Sequence, residues 1–412
     1  MSGPAPVPYG TPPGLPAPGV PAALLRRPRS ALTWVTGVVL GLGALAIAVI
    51  FTLLGGVGPI ALVTFLAALA FPGLILVVFW LDRYEPEPAR YRLAALGWGG
   101  VVAVVLSFVA EQLLFSLPGS STVVDTAVIA PVVEELGKGL FLVAVLVFRR
   151  DQIHGLLDGV VYGALVGVGF AFVEDILYYL SALSSGGGVG LTVTFVLRGV
   201  MGPFAHPLFT AATGLGVGIG MSSRKPAVRV LAPLLGFVAA VGMHGLWNGS
   251  SFWGARGFYL TYAAVMLPLL VLVLAVTVWA RSREGRMLEA SLRQTVQMGW
   301  TRPEEVRWVA RLSDRMSARG YARTRGGPPA KAALRAFQQT MIEIAFLHNR
   351  AVTGTAPPDL NARMLGLLER ADALRPYVLL PPPAPLPGML PPPPGTLPPP
   401  PGRPPGGPVP NR

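Results

Sequence analysis

Two adjacent carboxylates and a lysine stand inside an otherwise apolar stretch, as Glu134, Glu135 and Lys138 of the string PVVEELGKGLF. On a helix Glu134 and Lys138 are i, i+4 neighbours and Glu135 and Lys138 are i, i+3, so the ammonium can neutralise part of the pair. A structural ion pair accounts for one Glu and one Lys and leaves a carboxylate over. Adjacent residues lie about 100° apart around a helix, so one carboxylate can serve a reaction centre while the other orients a neighbour. Further along, Phe170 and Glu174 are one turn apart in GFAFVEDILYY, followed by Asp175. His206 lies between Pro203 and Pro207 in GPFAHPLFT, where freed backbone carbonyls can line a polar cavity. His244 and Asn248 are i, i+4 in MHGLWNGS, so an imidazole and a carboxamide can face one developing negative charge. A carboxylate that takes a proton from water, with groups that hold the water and the oxyanion, is the equipment of hydrolysis.

Two other chemistries use the same residue types. Glu134, His206 and His244 could hold Zn²⁺ with one open position, although the compact HExxH pattern is absent. Carboxylate and imidazole chains also serve as proton relays in coupled transporters. A non-catalytic membrane scaffold acting through its Pro-rich tail is a third alternative. Cysteine is absent from the sequence, which excludes a structural disulfide, a thiolate metal ligand and a cysteine nucleophile.

The elements that must position these groups are membrane helices. Of 412 residues 52% are hydrophobic and only 13% charged, and the mean hydropathy is +0.57. These values lie outside the range of ordinary soluble domains. Apolar runs of about 20 residues, each enough to cross a bilayer, recur from Ala31 to Ala280. The sequence predicts an all-α, polytopic transmembrane bundle of about eight spans: Leu32 to Leu54, Pro59 to Leu81, Leu93 to Phe115, Val123 to Phe148, Leu156 to Ser181, Leu191 to Gly220, Val228 to Gly249 and Phe258 to Ala280. The first run is too long and too late for a removable signal peptide. Basic residues mark alternate loops, at Arg26 to Arg29, Arg83 to Arg92, Arg149 and Arg150, Arg224 to Arg229 and Arg281 to Arg286, whereas Ser116 to Thr122 and Ser184 to Gly190 carry none. The positive-inside rule therefore predicts both termini in the cytoplasm. Topology and attraction to lipid headgroups account for the net charge of +13 without a nucleic-acid partner.

Ionisable groups inside a bilayer cost several kcal/mol unless paired or hydrated. At a rise of about 1.5 Å per residue, Glu134, Glu174 and His244 come out roughly 17, 10 and 8 Å from the outer ends of their spans, in the middle to outer half of the membrane. Gly159, Gly163, Gly167 and Gly169 allow close helix contact. Glu111 is a candidate accessory residue, while Glu85 and Glu87 read as parts of a solvated loop with Pro86 and Pro88. His154 falls in a basic loop and His348 beyond the spans, outside the set. No internal repeat is evident.

Residues 1–30 and 378–412 are Pro- and Gly-rich and predict disordered tails flanking a transmembrane region, 31–280. Residues 281–377 turn polar and periodic, predicting a small helical cytosolic appendage with a capping box of Thr301 and Glu304 around Pro303 and helices over Lys331 to His348 and Asp359 to Arg375.

The EExxK string at Glu134, Glu135 and Lys138, FxxxE at Phe170 to Glu174, the lone His206 and HxxxN at His244 to Asn248 resemble the four ordered motifs of the PrsW family of intramembrane proteases. That family is related to the CAAX-processing and bacteriocin-protection proteases. DRYEPEP from Asp82 and DGVVYG from Asp158 are also similar to it, and the likeness runs from the second to the eighth span. The resemblance implies a membrane-embedded endopeptidase of a bacterial cytoplasmic membrane. It would make a first cut in a single-pass membrane protein such as an anti-sigma factor, on the extracytoplasmic side. Glu134, or Glu135 in its place, is then the expected general base. His206 would hold the water, Glu174 would orient His206, and His244 with Asn248 would form an oxyanion pocket, as the related prenyl-protein proteases imply. Lys138 and Phe170 support them. No cofactor is expected on this reading; Zn²⁺ on Glu134, His206 and His244 is the alternative, in keeping with the grouping of such proteins among metalloproteases.

Overall fold

A computed structural model of the chain describes residues 20–25, 31–84, 86–116 and 121–382. The expected tails, apart from residues at their inner ends, lie outside the described residues, as do Glu85 and the middle of the Ser116 to Thr122 loop. Among the described residues the protein is an all-α bundle without strands. The apolar stretches become helices because a backbone in hydrocarbon must satisfy its polar groups within the segment. In order they are α1 (Ala31–Gly55), α2 (Val57–Leu81), α3 (Ala89–Phe115), α4 (Ala130–Phe148, continued back to residue 122), α5 (Leu156–Thr194), α6 (Ala205–Ser222), α7 (Pro226–Gly249) and α8 (Leu267–Gln297, preceded by helical turns from Gly254). Four of these carry a π-helical segment, Trp98–Ala103, Asp125–Ile129, Phe195–Met201 and Tyr262–Met266. Each such segment shifts the register of the helical residues C-terminal to it.

Helix α5 is the axis of the bundle. Residues Leu157 to Ala171 are all buried, and α6 lies antiparallel against them. Gly159 faces Gly214, Gly163 faces Thr210 and Gly167 faces His206, each so closely that a methyl group would overlap the opposing carbonyl. On the other side Gly169 meets the backbone of Leu96 and Gly99 that of Val166, drawing α3 in. Small residues thus do what the sequence suggests, allowing backbones to approach where lipid offers no hydrophobic drive for association. By contrast α1 is unburied and touches the bundle along one edge only.

The sixth hydrophobic stretch differs from its expected form. Leu191 to Gly220 is not one helix: α5 kinks at Gly187, whose φ of 59° suits glycine, runs on through the π-helical turn to Met201, and the chain then breaks at Gly202 to Phe204 before α6 begins at Ala205. Pro203 and Pro207 make that break the natural place for a new helix to start. His206 is consequently the second residue of α6 rather than mid-helix.

Beyond the bundle, α8 continues unbroken to Gln297 and joins α9 (Pro303–Ala310), α10 (Leu312–Val352, kinked at Gly327 before Pro328 and Pro329) and α11 (Leu360–Leu374). Leu288, Leu292, Val309, Leu334, Phe337, Met341 and Ile344 form their common core. The cap of α9 is one residue later than expected. Glu305, not Glu304, accepts from the backbone N–H of Arg302 at 2.9 Å, while Thr301 bonds Thr295. The appendage is fastened to the loops of the bundle. Arg315 donates to the carbonyl of Tyr84 at 2.8 Å, Arg224 to that of Val352 at 3.2 Å, and His154 packs against Phe346.

Candidate active site

Four helices bring the polar residues to one level. At about 1.5 Å per residue, Glu134 is about 21 Å from the Phe148 end of α4, Glu174 about 27 Å from Leu156, His206 about 24 Å from Ser222 and His244 about 27 Å from Pro226. All four helix ends belong to the appendage side, so the side chains meet in the half of the bundle away from it.

Lys138 is the centre of the cluster. Fully buried, its ammonium donates to Glu134 at 3.0 Å and Glu135 at 2.9 Å, and lies 3.0 Å from Nδ1 of His206. Three N–H donors meet three acceptors, which makes His206 the tautomer with its proton on Nε2. That nitrogen is 2.6 Å from Glu174. Both ring nitrogens of His206 are therefore occupied. The ring of Phe170 lies under the ammonium, 3.7 Å from Nζ, and packs on His206 at 5.3 Å.

His244 approaches from α7. Its Nδ1 is 3.1 Å from Glu135, whose other oxygen accepts from the hydroxyl of Thr210 at 3.1 Å. Phe209 stacks on the imidazole at 5.0 Å. With its proton on Nδ1, His244 presents the lone pair of Nε2 to Oε2 of Glu134 across 3.8 Å. Two acceptors at that separation are spaced for a group that donates to both, Oε2 also accepting from Lys138. Asn248 stands one turn beyond His244 but outside this cluster, and its amide donates to the carbonyl of Thr126 at 3.1 Å.

Sequence reasoning did not single out Arg198 or Thr210. Arg198, in the π-helical turn after the Gly187 kink, pairs with Glu174, bonds Asp175 at 2.7 Å and lies over the Tyr178 ring at 3.9 Å. The signal was present as a lone arginine in an apolar run near an unexplained Glu-Asp pair. Glu111 keeps one buried oxygen without a hydrogen-bond partner. Glu87 is not solvated: it is buried, and its carboxylate accepts from the hydroxyl of Tyr162 at 2.6 Å. His348 lies in α10 and His154 at the appendage, both remote from the cluster.

The match to known proteins falls on this same region. Residues 87–276 match the family described as PrsW family intramembrane metalloprotease. Those residues are similar to the PrsW family. Protease PrsW of Geobacillus kaustophilus is 30% identical over 145 residues, which is 35% of this chain and 60% of that relative, so the alignment covers less than two thirds of its length. Protease PrsW of Bacillus subtilis is 27% identical over 179 residues, 43% of this chain and 78% of the relative. That of Oceanobacillus iheyensis is 23% identical over 225 residues, 54% and 96% of the two chains. No solved structure matches. The protein is thus a multi-pass membrane protein, and its region similar to the PrsW family includes the whole carboxylate and histidine cluster but not the appendage.

The family's description names a metal, and the donor set fits one. Glu134, His206 and His244 each offer an atom within 4.8 Å of the others, all three residues are buried, and Glu135 and Glu174 back the two imidazoles as outer partners usually do. Among the described residues Glu134, Glu135, Glu174 and Asp175 pair with Lys138 and Arg198 and with the imidazoles of His206 and His244. The competitor for the site is Lys138, which already approaches both Glu134 and Nδ1 of His206.

Proposed function

We propose that this protein is an intramembrane endopeptidase that cuts a single-pass membrane protein, an anti-sigma factor being the candidate class, on the extracytoplasmic side of a bacterial inner membrane, with both termini cytoplasmic. The observation that carries this is the 3.8 Å gap between Glu134 Oε2 and His244 Nε2, inside the region similar to the PrsW family and bounded by a lysine-neutralised carboxylate pair.

A water donating to both atoms has its lone pairs directed outward, toward a peptide carbonyl. Glu134 takes one proton as the water oxygen bonds to the carbonyl carbon, and the same carboxyl returns it to the amide nitrogen as the C–N bond breaks. Glu135 holds His244 in the required tautomer, and Lys138 offsets the charge of the carboxylate pair beside it. Glu174 fixes His206, which in turn positions the lysine; this moves His206 from the water-holding role that the motif implies to an orienting one. Asn248 has a second amide N–H beyond the one given to Thr126, and is the donor assigned to the tetrahedral oxygen.

Zinc is the second reading. Glu134, His206 and His244 would hold it, and it would supply Lewis acidity and a more acidic bound water. The position of Lys138 favours the metal-free form.

Two measurements separate these readings. Membrane proteomics of wild type against Glu134→Gln should show a single-pass protein that accumulates uncut, with cleavage of the reconstituted pair reduced by about 100-fold or more. Unchanged cleavage would remove Glu134 as the general base, and no cleavage by the wild-type protein would sink the peptidase reading. Activity that survives exhaustive chelation supports the glutamate mechanism, and activity lost on chelation and restored by Zn²⁺ overturns it.

A further inference from the structure

Helix α10 runs along the bundle rather than away from it. In its second half Gln339, Glu343, Phe346 and Arg350 line one cleft with Pro86 to Pro88 and His154, so a stretch of about 16 Å stays level with the loops between spans. Its first half meets the loop after α2, where Arg315 donates to the carbonyl of Tyr84 at 2.8 Å and Arg83 approaches the Met316 sulfur at 3.9 Å. The two halves fold back on each other at the Gly327 kink, and Arg319 donates to Gln338 across them at 2.6 Å. The Gly327 end of this hairpin therefore continues beyond the loop after α2, by about 12 Å from Gln339 to Lys331.

Four cations stand on the side of the hairpin that faces the span ends. At about 100° per residue, Met316 and Arg315 point about 100° apart around α10, and Arg319 and Arg323 fall between them, in the direction of the contacts with Arg83 and Tyr84. On the second half Arg335 and Lys331 extend the row of Glu343 and Gln339 by one turn and two. Arg335 lies beside Arg319: burial, and then the charge of Arg335, push the Arg319 guanidinium below its ordinary value. Arg323, Lys331 and Arg335 are exposed and Arg319 is half-buried. The carboxylates of the appendage are engaged elsewhere. Asp314 pairs with Arg307, Glu289 with Arg293, Asp359 with Arg363, and Glu305 and Asp372 with Arg375, while Glu343 accepts from Gln339. Glu284, Glu304 and Glu369 complete the acids of residues 281–377, and among the described residues none of these acids forms an ion pair with Arg319, Arg323, Lys331 or Arg335. Residues 1–19 and 383–412 contain no Asp or Glu that could cover them.

We propose that this face of the hairpin docks on the anionic phospholipid headgroups of the bilayer in which the bundle stands, through Arg319, Arg323, Lys331 and Arg335. The bilayer is the partner already in place, because α2, whose end the hairpin passes, turns Leu69, Leu76 and Trp80 outward to lipid. Lysines and arginines clustered beside a span gain from the negative potential of an anionic leaflet, and a guanidinium meets phosphate oxygens with paired N–H donors. Their long stems let the charges reach the headgroups while the helix backbone stays above them. Met316, exposed on the same side, adds an apolar contact. The appendage is then held at the membrane by lipid as well as by the loops of the bundle. The proposal does not depend on the peptidase reading.

The absence of cysteine makes the test direct. Gly320→Cys, at an exposed position of α10 with nothing within 4 Å of an added side chain, gives the full chain a single site for a fluorophore beside the cations. The labelled protein is placed in nanodiscs that carry a lipid with a nitroxide on its headgroup, the host lipid being phosphatidylcholine alone or in equal parts with phosphatidylglycerol. Docking predicts quenching about twofold or more stronger with phosphatidylglycerol, and weaker as salt rises from about 0.05 to about 0.5 M and screens the charges. R319Q/R323Q/K331Q/R335Q should return the quenching to the phosphatidylcholine level, whereas R293Q, an exposed arginine on α8, should leave it in place. R323Q/K331Q, which removes two exposed side chains and no hydrogen bond of the described residues, should lose part of it and serves should the fourfold variant fold poorly. Equal quenching in the two lipids, or a phosphatidylglycerol response undiminished in these variants, overturns the docking. So does a label that responds to a short RNA in phosphatidylcholine discs and not to phosphatidylglycerol, which would make the face a nucleic-acid surface.

Discussion

Lys138 is the residue on which the cluster depends. Its ammonium is surrounded by two carboxylates and an imidazole with no exposed surface, so removing it leaves Glu134 and Glu135 as buried like charges. Breaking a buried pair by removing one partner costs about 3–5 kcal/mol. We expect Lys138→Met to lower stability against denaturation in detergent by that order. Adding Glu135→Gln should recover part of the loss because it removes one stranded charge. A double-mutant cycle that shows simple additivity contradicts the assigned contacts. That Glu134, Glu135 and Lys138 act together was legible from i, i+3 and i, i+4 spacing alone. That His206 is their third partner was not, because it comes from a helix 68 residues away. Arg198 stayed hidden for the same reason: its partners lie 23 and 24 residues back, across a kink that no helical periodicity announces.

At the scale of elements, the site is assembled by the antiparallel contact of α5 and α6. Gly159, Gly163 and Gly167 let the two backbones touch, and the last of them lies directly against His206. A methyl group at 159 meets the Gly214 carbonyl, which is backbone and cannot swing away. Gly159→Ala should therefore separate the helices and destabilise the protein by about 1–3 kcal/mol, the usual cost of overpacking. Gly186→Ala, which meets nothing within 4 Å, should have a much smaller effect. Equal losses in Tm for the two variants would argue against this packing. The sequence marked the glycines as contact residues but not their partners, and it joined Leu191 to Gly220 into one span because hydropathy does not register a break between two apolar helices.

At the scale of the whole molecule, a second helical unit is carried on the continuous helix α8 and fastened to the loops of the bundle. His348 contributes to its integrity. It is buried, bonded to Gln294 at 2.9 Å and set edge-on to Trp300, and burial pushes its pKa below the ordinary value of 6.5. The folded state then binds fewer protons than the unfolded state around and below pH 6.5. The stabilisation is present above that pH and is lost as pH falls through it toward the lower folded value. Acidification from about pH 7.5 to about 5.5 should lower the melting temperature of the appendage, and His348→Gln should reduce that dependence. A pH slope unaltered by the substitution would remove His348 from the account.

The sequence by itself determined the membrane helices, the level at which the acids and histidines stand, and the order of the motifs. Each of these comes from local quantities, namely hydropathy along a segment, rise per residue and spacing on a helix face. Tertiary structure alone decided that Lys138 joins His206 to the carboxylates, that Arg198 clasps Glu174, that Asn248 turns to Thr126 and that Glu87 is buried beneath the appendage. Those contacts join segments that are remote along the chain, and only the packing of helix against helix determines which side chains share a space.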